Sequence, residues 1–318
     1  MWILQQLDGM KETFRLREGE YGLGKNKAPS VKTQNNADNP PKQYDGWIHL
    51  RGEEGQPYNQ AVSREHLNII LETDPKRKAP SVFIVDLSKF GTRCSRIADT
   101  SCWELQDSQA APGSVSSQVP HKKGKIRSAT KVEVLEGCII SIGSSMRLQL
   151  VWQEVTVSYS RLSGEKRKSL FADCAKLGIN VSGKWDEQCS FLVMDELEAT
   201  TKFMLALVCQ RKVVASSFFR DLTTSTTLLT APTLQAAVCM KDHILDPERC
   251  KTASDFASLL RSGGDGIFPL EDGDRRAVFD GLTFLTRSVE DGSLDYVTYA
   301  GARLLPFPRA AEAGGWGA

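Results

Sequence analysis

In the first 150 residues no window keeps its apolar residues at helical spacing; short aliphatic and β-branched runs alternate with turn signals instead. MWILQQL, ETFRLREG, VSREHLNIILE, SVFIVDL, KVEVLEG and SMRLQLVW each read as a strand. Strands built this way must bury a face against a second sheet, so residues 1–150 are expected to form an all-β sandwich. Two stretches rich in Pro, Gly, Ser and amides, 26–46 and 99–125, read as polar loops.

Near Trp152 the texture changes. The run VTVSYS reads as a strand, and EKRKSLFADCAKLG places Leu170, Phe171, Cys174 and Leu177 at helical spacing with Gly178 as a stop. INVSGKW, CSFLVMD, the helix-like TTKFMLALVCQRK and a strand VVASSFF follow, an order that predicts a small α/β domain with a parallel sheet over 151–222. Residues 223–274 read as a mixed linker with one or two short helices. FDGLTFLTRS, a short helix LDYVTYAG and a strand ARLLPF open another α/β unit over 275–318, expected to stop before its cover is complete.

Composition excludes several function classes. The net charge of +1 gives no global attraction to nucleic acid or anionic lipid, so anion binding must come from local arrangement. The eight cysteines form no CxxC pair and have no zinc spacing, and no apolar run approaches a membrane span, which points to a reducing, intracellular setting. Histidines occur at 49, 66, 121 and 243 only, and no nucleophile elbow or nucleotide loop is visible. Asp86 and Asp195 end strands but have no partner visible in the sequence, so an enzyme is not expected.

Two constellations stand out. Gly24 and Lys25, then Ser63, Arg64 and His66, then Gly91 and Thr92 each lie in a polar turn at a strand end. If the turns converge, the two cations and the Ser63 hydroxyl can hold a phosphate, while Thr92 holds its loop or touches the ligand backbone. The plainer reading makes Lys25 and Arg64 solvated cations, Ser63 a strand-end hydroxyl, Gly91 and Thr92 an ordinary turn, and His66 a loop brace. In the second constellation, Ser158 and Ser160 end the first α/β strand, Arg161 follows, and Lys202 opens a helix. A phosphate there can take the Ser160 hydroxyl, the Arg161 amide and the Lys202 ammonium. A capping serine and a surface lysine are the plainer reading.

The series GLGK, SREHLNI and FGT, followed by EGCIISIG, resembles a forkhead-associated (FHA) domain. That resemblance implies an eleven-stranded sandwich reading phosphothreonine through Lys25, Ser63, Arg64, Gly91 and Thr92, with Gly24 and His66 as structural support. Two departures bear on it: Lys25 stands where arginine is usual, which loses the bidentate fork, and Phe90 stands where asparagine is common. The run from CSFLVM through TTKFMLALVCQRKVVASSFF resembles a BRCT domain, which places Ser160, Arg161 and Lys202 at that family's phosphoserine pocket; Phe191 takes the usual histidine position. RRAVFDGLTFLTRS to ARLLPF is similar to the start of a second BRCT unit.

An FHA domain joined almost without linker to tandem BRCT domains resembles a family of nuclear adaptors of DNA double-strand-break repair, here expected to be fungal and cut within the second BRCT unit. The resemblance implies phosphorylated CtIP/Ctp1/Sae2-like partners, Mre11 and an ATM-like kinase bound through more distal regions, indirect DNA association, no membrane, no cofactor and no metal. The alternatives are a spacer with degenerate pockets and a weak DNA binder acting through the basic tract 121–131.

Overall fold

A computed structural model describes residues 1–8, 12–25, 44–50, 62–74, 77, 79–89, 91–96, 99–104, 115–119, 127–143, 146–243, 245, 279–286 and 294–306. The chain divides into two compact units: Met1–Glu154 with Asp173–Ile179 and Asp221–Val238, and Val155–Ala172 with Asn180–Arg220 and Cys239–Ala318.

The first unit is a sandwich of two six-stranded sheets. Its strands are β1 (Trp2–Gln6), β2 (Thr13–Leu16), β3 (Gly19–Gly24), β4 (Gly46–His49), β5 (Leu67–Glu72), β6 (Ser81–Asp86), β7 (Thr92–Arg96), β8 (Asp99–Glu104), β9 (Val115–Val119), β10 (Arg127–Val134), β11 (Cys138–Ile142) and β12 (Met146–Trp152). The sheet orders are β2-β1-β12-β11-β7-β8 and β4-β3-β5-β6-β10-β9. Pairing is antiparallel except between β3 and β4, where Gly24 sits opposite His49. The alternation seen in the sequence becomes the core: Leu4, Leu23, Leu67, Ile69, Ile84, Ile140 and Leu148 all point between the sheets and are fully buried.

Residues 99–125, expected as a loop, contribute β8 and β9. Among the described residues each pairs along one edge, β8 with β7 and β9 with β10. Because an edge strand needs one partner, a segment with little apolar signal can still be recruited by main-chain hydrogen bonding.

Residues 221–238, of which 223–238 were read from the sequence as part of a linker and 221–222 as the end of the α/β domain, form a strap on the β2 side of this unit and carry the one-turn helix α4 (Leu234–Ala237). The Arg15 N–H donates to the Leu229 carbonyl at 2.9 Å, and the Arg15 guanidinium, buried in the unit, donates to the Ala231 and Pro232 carbonyls. The Arg17 guanidinium reaches the Ser225 and Leu222 carbonyls at 3.0 and 3.3 Å.

The second unit centres on a parallel sheet in the order β14-β13-β15-β16, from β13 (Thr156–Tyr159), β14 (Asn180–Ser182), β15 (Cys189–Val193) and β16 (Lys212–Val214). Helix α1 (Gly164–Leu177) ends where expected, at Gly178 with φ of 64°. Helix α2 (Thr201–Val208) is capped by Thr200, whose side chain accepts from the Phe203 N–H. The run VVASSFF, expected as one strand, is divided: β16 stops at Val214, and helix α3 (Ser217–Thr224) begins at the second serine. Asp195 enforces the break by accepting from both the N–H and the hydroxyl of Ser216, while Phe218 and Phe219 turn inward onto Phe191 with ring centroids 5.6 and 5.8 Å away.

The last described piece pairs β17 (Thr283–Thr286) in parallel with β18 (Arg303–Pro306), linked through α5 (Asp295–Tyr299), which packs on α2. It has the form of an incomplete second BRCT unit. Leu282, Leu285 and Leu305 stay about half exposed, an apolar face of the kind that parallel strands normally bury.

Replacing Arg15 with Met keeps its bulk and removes both side-chain contacts to the strap. Loss of roughly 2–3 kcal/mol is expected, with new protease cleavage inside 221–238. Urea denaturation and limited proteolysis of Arg15→Met check this, and an unchanged cleavage pattern would refute the clamp.

Candidate functional site

The polar turns singled out in the sequence meet at one end of the sandwich. A Cβ on Gly24 would lie 2.0 Å from the Arg64 carbonyl oxygen, so the end of β3 and the 62–66 turn touch through bare main chain. The contact is closed by hydrogen bonds from the Lys25 N–H to the Ser63 carbonyl (3.2 Å) and from the His66 N–H to the Leu23 carbonyl (2.7 Å). From the other side, His49 Nε2 donates to the Lys25 carbonyl at 2.9 Å.

His66 is wholly buried, and its Nδ1 accepts the Ser63 N–H at 3.0 Å, which requires an unprotonated Nδ1. Burial pulls its pKa below the ordinary value; Asp86 and the Gly91 backbone act the other way and are outweighed. The His66 carbonyl accepts from the Leu87 N–H at 2.9 Å, tying this turn to the next one.

The 86–92 turn is organised around Asp86. Its Oδ1 accepts from the Ser88 N–H and from the Thr92 hydroxyl, both at 3.0 Å, and Ser88 Oγ in turn accepts from the Gly91 N–H at 2.8 Å. Gly91 has φ of 82°, a left-handed conformation that suits glycine. Thr92 is buried, so its hydroxyl braces the turn. The Lys89 N–H donates to Ser63 Oγ at 3.2 Å, which leaves the Ser63 proton for another acceptor. The turns that meet at this half-exposed hydroxyl also carry Lys25, half-buried, and Arg64 and Lys89, exposed; none of the three forms an ion pair among the described residues. Such a cluster of donors can receive a doubly negative group. Phe90 lies outside the described residues.

Sequence reasoning did not single out His49 or Ser88 here, and placed Asp86 only among possible catalytic carboxylates. The role of His49 depends on pairing between distant parts of the chain, which leaves no local signature, whereas Asp86 and Ser88 brace their own turn and were open to a local reading. Of the basic tract, residues 121–126 lie outside the described residues, while Lys131 pairs with Glu72 and lies 4.1 Å from the centroid of the Phe83 ring.

At the second constellation, Ser160 donates its N–H to the Val193 carbonyl at 2.9 Å and sets its hydroxyl 3.1 Å from that of Thr200. Lys202 turns back from the first turn of α2 and donates to the carbonyls of Tyr159 (2.8 Å) and Gly183 (2.5 Å), with its ammonium over the Tyr159 ring. Desolvation lowers its pKa. Arg161 has φ of 54°, and its exposed side chain pairs with Glu198 at 3.1 Å. Ser160, Arg161 and Lys202 therefore come to one strand end, joined by Thr200, which the sequence reading missed. A hydroxyl two residues before the lysine at a helix start was its available signal. Asp195 pairs with Lys166 at 2.8 Å besides accepting from Ser216. Among the described residues no group of three or more His, Cys, Asp or Glu is arranged to hold a metal ion.

No family model matches the chain. Nibrin of Danio rerio is 26% identical over 162 residues, 51% of this chain and 18% of that protein. The nibrin homolog of Oryza sativa subsp. indica is 26% identical over 171 residues, 50% of this chain and 27% of that protein. The solved S. pombe Nbs1 FHA-BRCT1-BRCT2 domains align with a TM-score of 0.56 at 15% identity, covering 98% of this chain and 84% of that one. The S. pombe Nbs1-Ctp1 complex aligns with a TM-score of 0.53 at 14% identity, covering 99% and 82%. The curated relatives are much longer, and the chain spans 16% to 27% of their length.

Sandwich, parallel α/β unit and partial third unit together define an FHA–BRCT architecture. Over nearly the whole chain the fold is Nbs1-like.

Two outcomes follow from the first site. Gly24→Ala forces two main chains apart and should destabilise the unit by several kcal/mol, on the order of other strained backbone substitutions, as read by thermal melting. Below the ordinary imidazole value of 6.5 the unfolded chain takes up a proton that buried His66 refuses, so stability should fall as pH drops through that window. Urea midpoints compared with those of His66→Gln isolate this component, and identical slopes for the two proteins would contradict it.

Proposed function

We propose that this protein is a non-catalytic adaptor that reads phosphorylated partners in double-strand-break repair and its checkpoint, with phosphothreonine held by the sandwich. The observation that carries the reading is the Ser63 hydroxyl, held by the Lys89 N–H where main-chain contacts bring together turns bearing Lys25, Arg64 and Lys89, none of which has an ion-pair partner among the described residues. Lys25, Ser63 and Arg64 contact the phosphate, Gly91 and Thr92 hold the adjoining turn, and Gly24 and His66 fix the geometry. Lysine in place of arginine gives charge without the bidentate fork, so the affinity is modest.

The α/β unit reads phosphoserine through Ser160, the Arg161 amide and Lys202. Two of the three Lys202 donors already serve carbonyls, so a phosphate there uses the third or displaces one. Partners of the CtIP/Ctp1/Sae2 kind fit this reading, because S. pombe Nbs1, whose fold is shared, has been solved as an Nbs1-Ctp1 complex. Association with Mre11 and an ATM-like kinase, indirect contact with DNA, and residence in the nucleus at breaks extend the same proposal.

Isothermal titration with an acidic phosphothreonine peptide tests it. Ser63→Ala, Arg64→Ala and Lys25→Ala should each weaken binding by about tenfold, the worth of one charge-assisted contact. Ser160→Ala and Lys202→Ala should leave that titration unchanged and weaken a phosphoserine peptide instead. Equal affinity for the unphosphorylated peptide would remove the reading.

A further inference from the structure

The sandwich unit carries a recess of about 730 Å³, the size of a ligand site, that the phosphate contacts do not use. It lies where the edge strands β2 and β4 and the 221–238 strap approach one another, and its lining includes Thr13, Arg15, Trp47, His49, Thr230 and Pro232. Two features make it more than a surface hollow. One is continuity: His49 lines the recess while its Nε2 holds the Lys25 carbonyl, and it stands opposite Gly24 in the β3/β4 register. The recess therefore begins beside the phosphate turn.

The other feature is an open strand edge. Among the described residues β2 pairs only with β1, the Gln6 N–H bonds the Glu12 carbonyl, and the Arg15 N–H points outward to Leu229. In an antiparallel pair, inward and outward main-chain groups alternate, so residues of Arg15 parity face away from β1. The N–H and carbonyl of Thr13 consequently face outward, and they make no hydrogen bond among the described residues. The strap uses the Arg15 position and leaves the next one open.

We infer that the chain flanking the phosphothreonine of a bound peptide extends into this recess, adds to the edge of β2 through the Thr13 main chain, and places an apolar side chain against Trp47 and Pro232. The assignment rests on the phosphothreonine reading above and deepens it: the partner is an extended segment with an apolar residue a few positions from its phosphate. Main-chain pairing supplies part of the affinity, and the Trp47 wall supplies selectivity.

The test uses two phosphothreonine probes, a minimal peptide of about five residues and one of about fifteen whose flanks are selected from a degenerate library. The long probe should bind wild-type protein about tenfold tighter than the short one. Thr13→Pro removes an outward N–H at an edge position where proline is tolerated, so it should reduce the long probe to the affinity of the short one and leave the short one unchanged. In wild-type protein, hydrogen exchange at the Thr13 amide should slow on adding the long probe, a readout that does not depend on the variant folding. Equal affinity of the two probes, or unchanged exchange at Thr13 with the long probe bound, overturns the inference while leaving the phosphate reading standing. Failure of both phosphorylated probes to bind overturns both.

Discussion

The turn bearing Ser63 and Arg64 can lie against the end of β3 only because residue 24 has no side chain. With a methyl group there, the Arg64 carbonyl would be displaced, and with it the two main-chain bonds joining Leu23 to His66 and Lys25 to Ser63. The candidate phosphate site is thus held by backbone, with His66 and Asp86 as internal braces. Its cations extend from a frame that does not need them for its own integrity. With its hydroxyl and amide groups already held in place, little of the candidate site would have to rearrange to accept a ligand.

The two strand-end constellations differ in how far their polar groups are already satisfied. Around Ser63 the charges have no carboxylate partner among the described residues, whereas the Ser160 hydroxyl meets Thr200, and Lys202 spans the carbonyls of Tyr159 and Gly183. Buried or half-buried polar groups must be paired in the empty state, so a ligand at the second place gains only the difference between its bonds and those it displaces. The same residue types can therefore leave donors open in one unit and form a largely closed network in the other.

Much of the architecture was legible because it is written locally. Alternation marked the sandwich strands, the change of period near Trp152 marked the α/β unit, and Gly178 marked the end of α1. Most of the failures share a cause. VVASSFF looks uniform along the chain, but Asp195, distant in sequence, captures Ser216 and starts a helix. Residues 223–238 look like a linker, but the carbonyls they offer to Arg15 and Arg17 and the burial of Leu228, Ala231 and Leu234 show otherwise. At the candidate site, Lys25, Ser63 and Arg64 could be found by their chemistry; His49 and Thr200 meet partners 24 and 40 residues away, whereas Asp86 braces its own turn through Ser88 and Thr92, a local pattern that the sequence reading passed over.

The strap also bears on the order in which a nascent chain can be completed. Arg15 emerges early from the ribosome, yet the carbonyls it holds lie 216 and 217 positions later. All twelve sandwich strands can associate before that segment exists, while the outward main chain of β2 lacks its strap until residues 221–238 have been made. During that interval the growing polypeptide resembles an unprotected template, and closure of the seam must await synthesis of the intervening α/β domain.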